Sequence, residues 1–232
     1  MIQCTNDAKR ILQNELPVPQ LEDLKELVST LKGELEFGLA RKVLARVREQ
    51  APDKVWVIQQ LALCTYKDQE LPASTRFADA LALLEEVGLC DPKHAIEEKG
   101  LDPTTLPETL GLGGAVYKRM WQSGGQIEHL HQALFFYRAA WERDTTEEKE
   151  IDKGYGGVNA AYILDLLAAR AATIAVRAGT KPEDAAEVNK LHQEACVLRE
   201  AMAEIIPKQR KRIRPLRAMT ISTQFSVYKI DL

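Results

Sequence analysis

Residues 21–54 have the spacing of a helical hairpin, and this limits what the chain can fold into more than any other feature. Counted from Leu21 as position 1, bulky apolar side chains stand at positions 4, 7 and 11, which is the period of one helix face. A small residue, Ala40, stands at position 20 and lets a second helix close on the first. Pro52, at position 32, ends that second helix. The pattern predicts two antiparallel helices within a 34-residue unit.

The hairpin pattern recurs three more times before residue 207. A second unit starts at Val55, a third at Pro107 and a fourth near Val158. Repeated hairpins of about 34 residues, with small residues at fixed positions and a closing proline, are typical of the tetratricopeptide repeat. We therefore expect an all-α fold of tetratricopeptide-like helical-hairpin repeats that stack into a short right-handed superhelix.

The repeats predict three segments of the chain. A repeat domain covers residues 21–207, between an N-terminal arm of residues 1–20 and a basic C-terminal tail of residues 208–232. A connector with several prolines, residues 89–107, interrupts the repeats and is expected to hold one short helix near residues 94–99. Six of the first ten tail residues are basic. Such a run can meet nucleic acid, but it is more often a solvated helix end, so a nucleic-acid partner is not favoured.

Composition and charge indicate a cytoplasmic protein. The 232 residues are 45% hydrophobic and 28% charged, with a net charge of -3, which gives no whole-chain attraction for nucleic acid or membranes. The four cysteines include no CxxC pair, so reduced thiols are expected. The N-terminus lacks a signal-peptide pattern, and the longest apolar stretch, residues 158–176, contains charged side chains. We expect no membrane partner.

The sequence contains no arrangement of residues that suggests catalysis, a cofactor or a metal. His129 and His131 are two residues apart and therefore point to different faces of a helix. His94 and His192 are isolated. We expect a protein that is not an enzyme, with no cofactor and no catalytic or metal-binding residues.

Two glycine-containing stretches resemble a known family. Residues 109–121, TLGLGGAVYKRMW, and residues 154–168, GYGGVNAAYILDLLA, are similar to segments of the TRAFs-binding region of mitogen-activated protein kinase kinase kinases, which also occurs in bacterial tetratricopeptide proteins. The resemblance covers roughly residues 55–206, and residues 156–161 are its most specific part. It implies an all-helical array that acts as a scaffold for partner proteins. Since the 232 residues leave no room for a kinase domain, it implies neither kinase activity nor a named partner.

Repeat superhelices usually bind partners through the inner faces of the first helix of each unit. Ala62 and Gly114 occupy position 8 of their units and so define which neighbours face inward. Several of these neighbours are aromatic or basic, as interface hot spots often are. The predicted partner contacts are Trp56, Gln59, Leu63, Tyr66, Lys67, Lys118, Arg119 and Asn159. The predicted function is a non-catalytic scaffold or adaptor that binds a protein or peptide. For Trp56 and Tyr66, packing against the connector is the alternative.

The glycine-rich run from Gly154 to Asn159 leaves a second function open. Backbone N–H groups that lead into a helix N-terminus can hold a small anion. The protein would then be a ligand sensor or accessory subunit that binds an anion or nucleotide at this turn. The simpler interpretation is a tight turn into a helix, with Asn159 capping it or bonding to a neighbouring helix, since no strand precedes the run.

Overall fold

The computed structural model describes residues 2–146 and 154–213, and every regular element in these ranges is helical. The α-helices are α1 (Ile2–Leu12), α2 (Leu21–Gly33), α3 (Phe37–Gln50), α4 (Val55–Lys67), α5 (Ala73–Glu86), α6 (Pro92–Glu97), α7 (Leu106–Gly124), α8 (Ile127–Thr146), α9 (Tyr155–Arg177) and α10 (Ala186–Ile213). They form two compact units, which meet in sequence between Leu101 and Asp102. The predicted all-α class is confirmed, whereas the superhelical shape and the three-segment division stay predictions.

Unit 1 contains the first two predicted hairpins. Helices α2 and α3 form the hairpin predicted at residues 21–54, and α4 and α5 form the next one. Ala40, the small residue at position 20, has no exposed surface. Leu24, Val28 and Leu31 are buried along one face of α2. Leu24, Leu31 and Ala40 of the repeat pattern are therefore core residues of the hairpin. Leu27, at position 7, is half-buried.

Helix α1 lies within residues 1–20, which the sequence predicted to be an arm. It packs against α2 and α3 and buries Ala8 and Ile11. Terminal helices commonly cover the open side of the first repeat in arrays of this kind. Because the rest of α1 is mostly polar, its apolar pattern is too short to be recognised in the sequence.

An ion pair between the buried Asp68 and the half-buried Arg41 joins the end of α4 to α3. Nε of Arg41 donates to Oδ2 of Asp68 at 2.8 Å, and Oδ1 of Asp68 accepts a hydrogen bond from the backbone N–H of Glu70 at 3.0 Å. A Cβ at Gly38 would lie 3.2 Å from both carboxylate oxygens of Asp68, so the glycine leaves room for them. The pair holds the long turn between α4 and α5 against α3.

The connector between residues 89 and 107 contains its short helix two residues earlier than predicted. Helix α6 begins at Pro92, and Oδ1 of Asp91 accepts a hydrogen bond from the backbone N–H of His94 at 2.9 Å. An aspartate cap followed by proline in the first helical position is a strong helix start. The prediction for residues 94–99 missed this cap.

Unit 2 consists of the hairpins α7–α8 and α9–α10, and both α7 and α9 pack on α8. Tyr137 of α8 has no exposed surface. A Cβ at Gly114 of α7 would lie 2.8 Å from the Tyr137 ring. A Cβ at Gly156 of α9 would lie 2.7 Å from the carbonyl oxygen of Tyr137 and 2.8 Å from the backbone nitrogen of Trp141. Glycine at these two positions allows the helices to approach more closely than any side chain would permit.

Helix α10 is held on the same core by Gly157. A Cβ at Gly157 would lie 2.8 Å from the Met202 sulfur and 2.9 Å from the Trp141 ring. Trp141, Ala161 and Met202 form a buried cluster that joins α8, α9 and α10. The adjacent glycines Gly156 and Gly157, in the first turn of α9, therefore allow close packing against both α8 and α10.

Gly156→Ala is expected to destabilise the protein by about 1–3 kcal/mol, because the added methyl group meets the α8 backbone. Gly33→Ala is the matched control, since nothing lies within 4 Å of a Cβ at this helical glycine. Its higher helix propensity should leave stability unchanged or raise it by up to about 1 kcal/mol. Urea unfolding followed by circular dichroism measures both. Equal stability of the two variants would contradict the close contact of α8 and α9.

Candidate functional site

Helix α4 carries five of the eight predicted partner contacts, and most of this helix is buried. Gln59, Leu63 and Tyr66 are at most 7% exposed. Every residue from Val57 to Tyr66 is buried. The open face expected at these three positions is therefore absent from the structure. Helix α4 packs against both α3 and α5, and its apolar residues are not confined to one stripe, so the repeat register alone could not show which positions stay accessible.

The two remaining α4 residues lie near its ends and are half-buried. Trp56 stands in the first turn of the helix. Nζ of Lys67, at the last position, lies 5.3 Å from the centroid of the Phe37 ring of α3. This cation–π contact fastens Lys67 to its own unit. The five predicted residues of α4 therefore do not form a continuous exposed surface.

The other three predicted residues belong to unit 2, and two of them are in contact. Nζ of Lys118 on α7 donates to Oδ1 of Asn159 on α9 at 3.1 Å. Nδ2 of Asn159 donates to the carbonyl oxygen of Tyr155 at 3.0 Å, which fixes the orientation of the amide. Nζ of Lys118 also lies 5.8 Å from the centroid of the Tyr162 ring. An amine, an amide and an aromatic ring thus share one half-buried surface between α7 and α9.

Arg119 extends this surface along α7. Its Nη1 donates to Oε1 of Gln122 at 3.0 Å. Consecutive helical residues point about 100° apart, so Arg119 lies beside Lys118 rather than sharing its contacts. Tyr162 was missed in the sequence, although it stands three residues after Asn159, the spacing that places two side chains on one face.

The glycine run before Asn159 has a structural explanation in each of its parts. Gly154 has a φ of 131° and precedes α9, which has no side-chain cap. Gly156 and Gly157 give α9 its close contacts with α8 and α10. Asn159 bonds to the neighbouring helix, one of the two roles considered for it. Residues 147–153, immediately before the run, lie outside the described part of the chain. The predicted anion site stays a prediction.

The titratable groups with shifted pKa values are not activated for chemistry near neutral pH. Burial raises the pKa of the Cys64 thiol to about 12. Partial burial and the nearby Glu85 carboxylate raise the pKa of Cys90. Burial raises the pKa of the Tyr155 hydroxyl to about 12. A raised pKa lowers the thiolate or phenolate fraction, and so opposes nucleophilic catalysis. Within residues 2–146 and 154–213, no three His, Cys, Asp or Glu side chains are grouped to hold a metal ion.

A family model described as Tetratricopeptide Repeats-Sensor matches residues 36–164, more than half of the chain. The chain belongs to this family. Membership in the Tetratricopeptide Repeats-Sensor family confirms the tetratricopeptide-type repeats predicted from the 34-residue pattern. All eight predicted partner contacts fall within the matched range. Comparison with curated proteins and comparison with solved structures gave no match. The finer resemblance to the TRAFs-binding region of mitogen-activated protein kinase kinase kinases stays a prediction.

Helix α9 is the one helix in the described ranges whose length and composition would allow it to cross a membrane. A third of the most apolar 18-residue stretch of this helix is buried inside the protein. The core helices of soluble proteins can have the same length and composition, so this property is weak evidence for a membrane span.

Iodoacetamide at pH 8 is expected to modify the exposed Cys196 and to leave Cys64 unmodified in the folded protein. Only the thiolate reacts, and both the raised pKa and the burial of Cys64 protect it. Mass spectrometry of tryptic peptides measures each site, and labelling in urea provides the control. Equal labelling of Cys64 and Cys196 without denaturant would contradict the packing of α4.

Proposed function

We propose that this chain is a non-catalytic, cytoplasmic interaction scaffold whose unit 2 binds a partner protein along α7 and α9. Tetratricopeptide-type repeats generally mediate protein–protein interactions, and the family match supports that general role. The contact between Lys118 and Asn159 carries the finer proposal. It joins the first helices of two successive hairpins, the helices through which such repeats usually bind.

The chemistry of this surface suits a partner segment that presents carboxylates. Lys118 and Arg119 supply positive charge, and Tyr162 supplies an aromatic surface beside the amine. Arginine and tyrosine are enriched among residues that dominate binding energy. All three side chains are half-buried, so they lose little side-chain freedom on binding while keeping exposed surface for a partner. The proposal leaves out Gln59, Leu63 and Tyr66 because they are buried.

Lys118→Glu combined with Arg119→Glu is expected to reduce capture of the partner in affinity pull-down by about 30-fold or more, the effect of losing about 2 kcal/mol at a hot spot. Lys181→Glu with Lys190→Glu is the matched control, because both lysines are exposed in unit 2 and lie outside α7 and α9. Circular dichroism must show that both variants remain helical. Unchanged capture by the Lys118 and Arg119 variant would place the interaction elsewhere.

Ligand sensing is the second candidate function. The family is described as a sensor, which favours a bound small molecule. The candidate ligand is a small anion or nucleotide at the turn from Gly154 to Asn159, where Lys118 lies next to Asn159. Packing already explains Gly156 and Gly157, so the glycines themselves do not require a ligand.

A thermal-shift series with inorganic phosphate and common nucleotides separates the two functions. A ligand at a hundred times its dissociation constant adds about 2.7 kcal/mol to the free energy of unfolding. The scaffold proposal predicts no concentration-dependent rise in Tm. A saturable rise that disappears in the Lys118→Glu variant would favour the sensor instead.

A further inference from the structure

One face of α9 is apolar and retains much exposed surface. Val158, in its first turn, is 40% exposed, and Val176, in its last turn, is 60% exposed. Tyr162, Leu166 and Ala169 lie between them, at successive steps of four, four, three and seven residues, and all three are half-buried or exposed. These steps place the five side chains in one stripe. At 1.5 Å per residue, the stripe is about 27 Å long.

A row of polar and basic side chains follows one edge of this stripe. Asn159, Arg170 and Arg177 are eleven and seven residues apart, about three turns and two turns, so they share one side of α9. The contact with Asn159 brings Lys118 of α7 to the start of the same row. Arg170 and Arg177 are exposed, and neither has an ion-pair partner among the residues that the structure describes. Arg170 and Arg177 therefore present positive charge that no described residue of unit 2 neutralises.

The negative charge on the opposite edge of the stripe is neutralised by residues of α10. Asp165 forms an ion pair with Arg199 of α10, and Nδ1 of His192 lies 3.9 Å from the same carboxylate. Charge along α9 is therefore asymmetric, with cations on the side of α7 and a neutralised carboxylate on the side of α10.

We infer that unit 2 binds an amphipathic helix of a partner protein, with its apolar face on the α9 stripe and a row of Asp or Glu facing Lys118, Arg170 and Arg177. The inference rests on the proposed scaffold function and names the chemistry of the partner. The stripe is long enough for a helix of about 18 residues. Laying an apolar helix face into a groove is a common mode of peptide recognition, and complementary charge along one edge sets the orientation and register.

Two other occupants suit this face less well. A second copy of α9 in an antiparallel arrangement would bring two basic rows together, which is repulsive. A lipid surface favours helices that project large apolar side chains. The C-terminal half of α9 instead carries the small side chains of Ala169, Ala172 and Thr173, which would allow the ridge of another helix to approach closely.

The test uses the full chain and a pair of fluorescein-labelled 18-residue peptides, each held helical by a hydrocarbon staple on its outer face. Both have Leu and Ala on the apolar face. One carries four Glu along an edge, and the other carries Lys at the same positions. Fluorescence anisotropy should show saturable binding of the Glu-edged peptide, at least about tenfold tighter than that of the Lys-edged peptide. Equal affinity for the two peptides, or no saturation, would overturn the inference.

Single charge reversals then locate the binding face. Arg170→Glu is expected to weaken the Glu-edged peptide about tenfold, whereas Lys190→Glu, an equal charge change at an exposed residue of α10, should leave its affinity unchanged. Ala169→Arg places a large side chain on the stripe and should abolish binding of both peptides, with circular dichroism confirming that α9 remains folded. An equal loss in the Arg170 and Lys190 variants would mean general charge attraction and contradict the assignment.

Failure of this inference can be told apart from failure of the scaffold proposal. If capture of the partner depends on Lys118 and Arg119 but the Glu-edged peptide does not compete with it, the scaffold role stands and the helical acidic partner is wrong. Binding to phosphatidylserine vesicles that is lost in Arg170→Glu would assign the face to lipid and overturn the inference. If light scattering shows a dimer and Ala169→Arg dissociates it, the α9 face binds a second copy of the chain. That result would also overturn the inference.

Discussion

The close approach of α7 and α9 to α8 is possible because glycine faces Tyr137 from both helices. Gly114 leaves space for the Tyr137 ring, and Gly156 leaves space for the backbone of the same residue. The Tyr137 ring is then buried and lies edge-on to that of Tyr155, with centroids 5.9 Å apart. Because α7 and α9 are both held against α8, their side chains meet, and Lys118 reaches Asn159 at 3.1 Å. The candidate surface is therefore a consequence of how the core of unit 2 packs.

The repeat pattern predicted the hairpins well because it records side chains that must be small or must end a helix. Ala40 is fully buried as its position requires, and α3 ends at Gln50, two residues before Pro52. The pattern failed where the local signal was short or absent. Helix α1 buries only a few side chains in a mostly polar segment, and the start of α6 depends on the cap at Asp91, which an apolar period does not record.

The candidate site could be predicted only in part, since accessibility and contact are tertiary properties. The repeat register placed Lys118 on an inward face, and the glycine run drew attention to Asn159, but nothing in the sequence indicated that the two touch. The same register selected Gln59, which is 4% exposed, because it assumed that α4 has one open side. Helical spacing shows which residues share a face, and the neighbouring helices decide whether that face is covered.

The side chains of α9 that determine its packing and those available for recognition lie on different sides of the helix. Gly156 and Gly157 admit no larger residue without a clash. A one-residue slide of α9 would place Tyr155 against the α8 backbone, or Val158 against the Trp141 ring and the Met202 sulfur. Arg170 and Arg177, in contrast, are exposed. Substitutions along the exposed row can therefore alter the charge that α9 presents to solvent while the helix keeps its place.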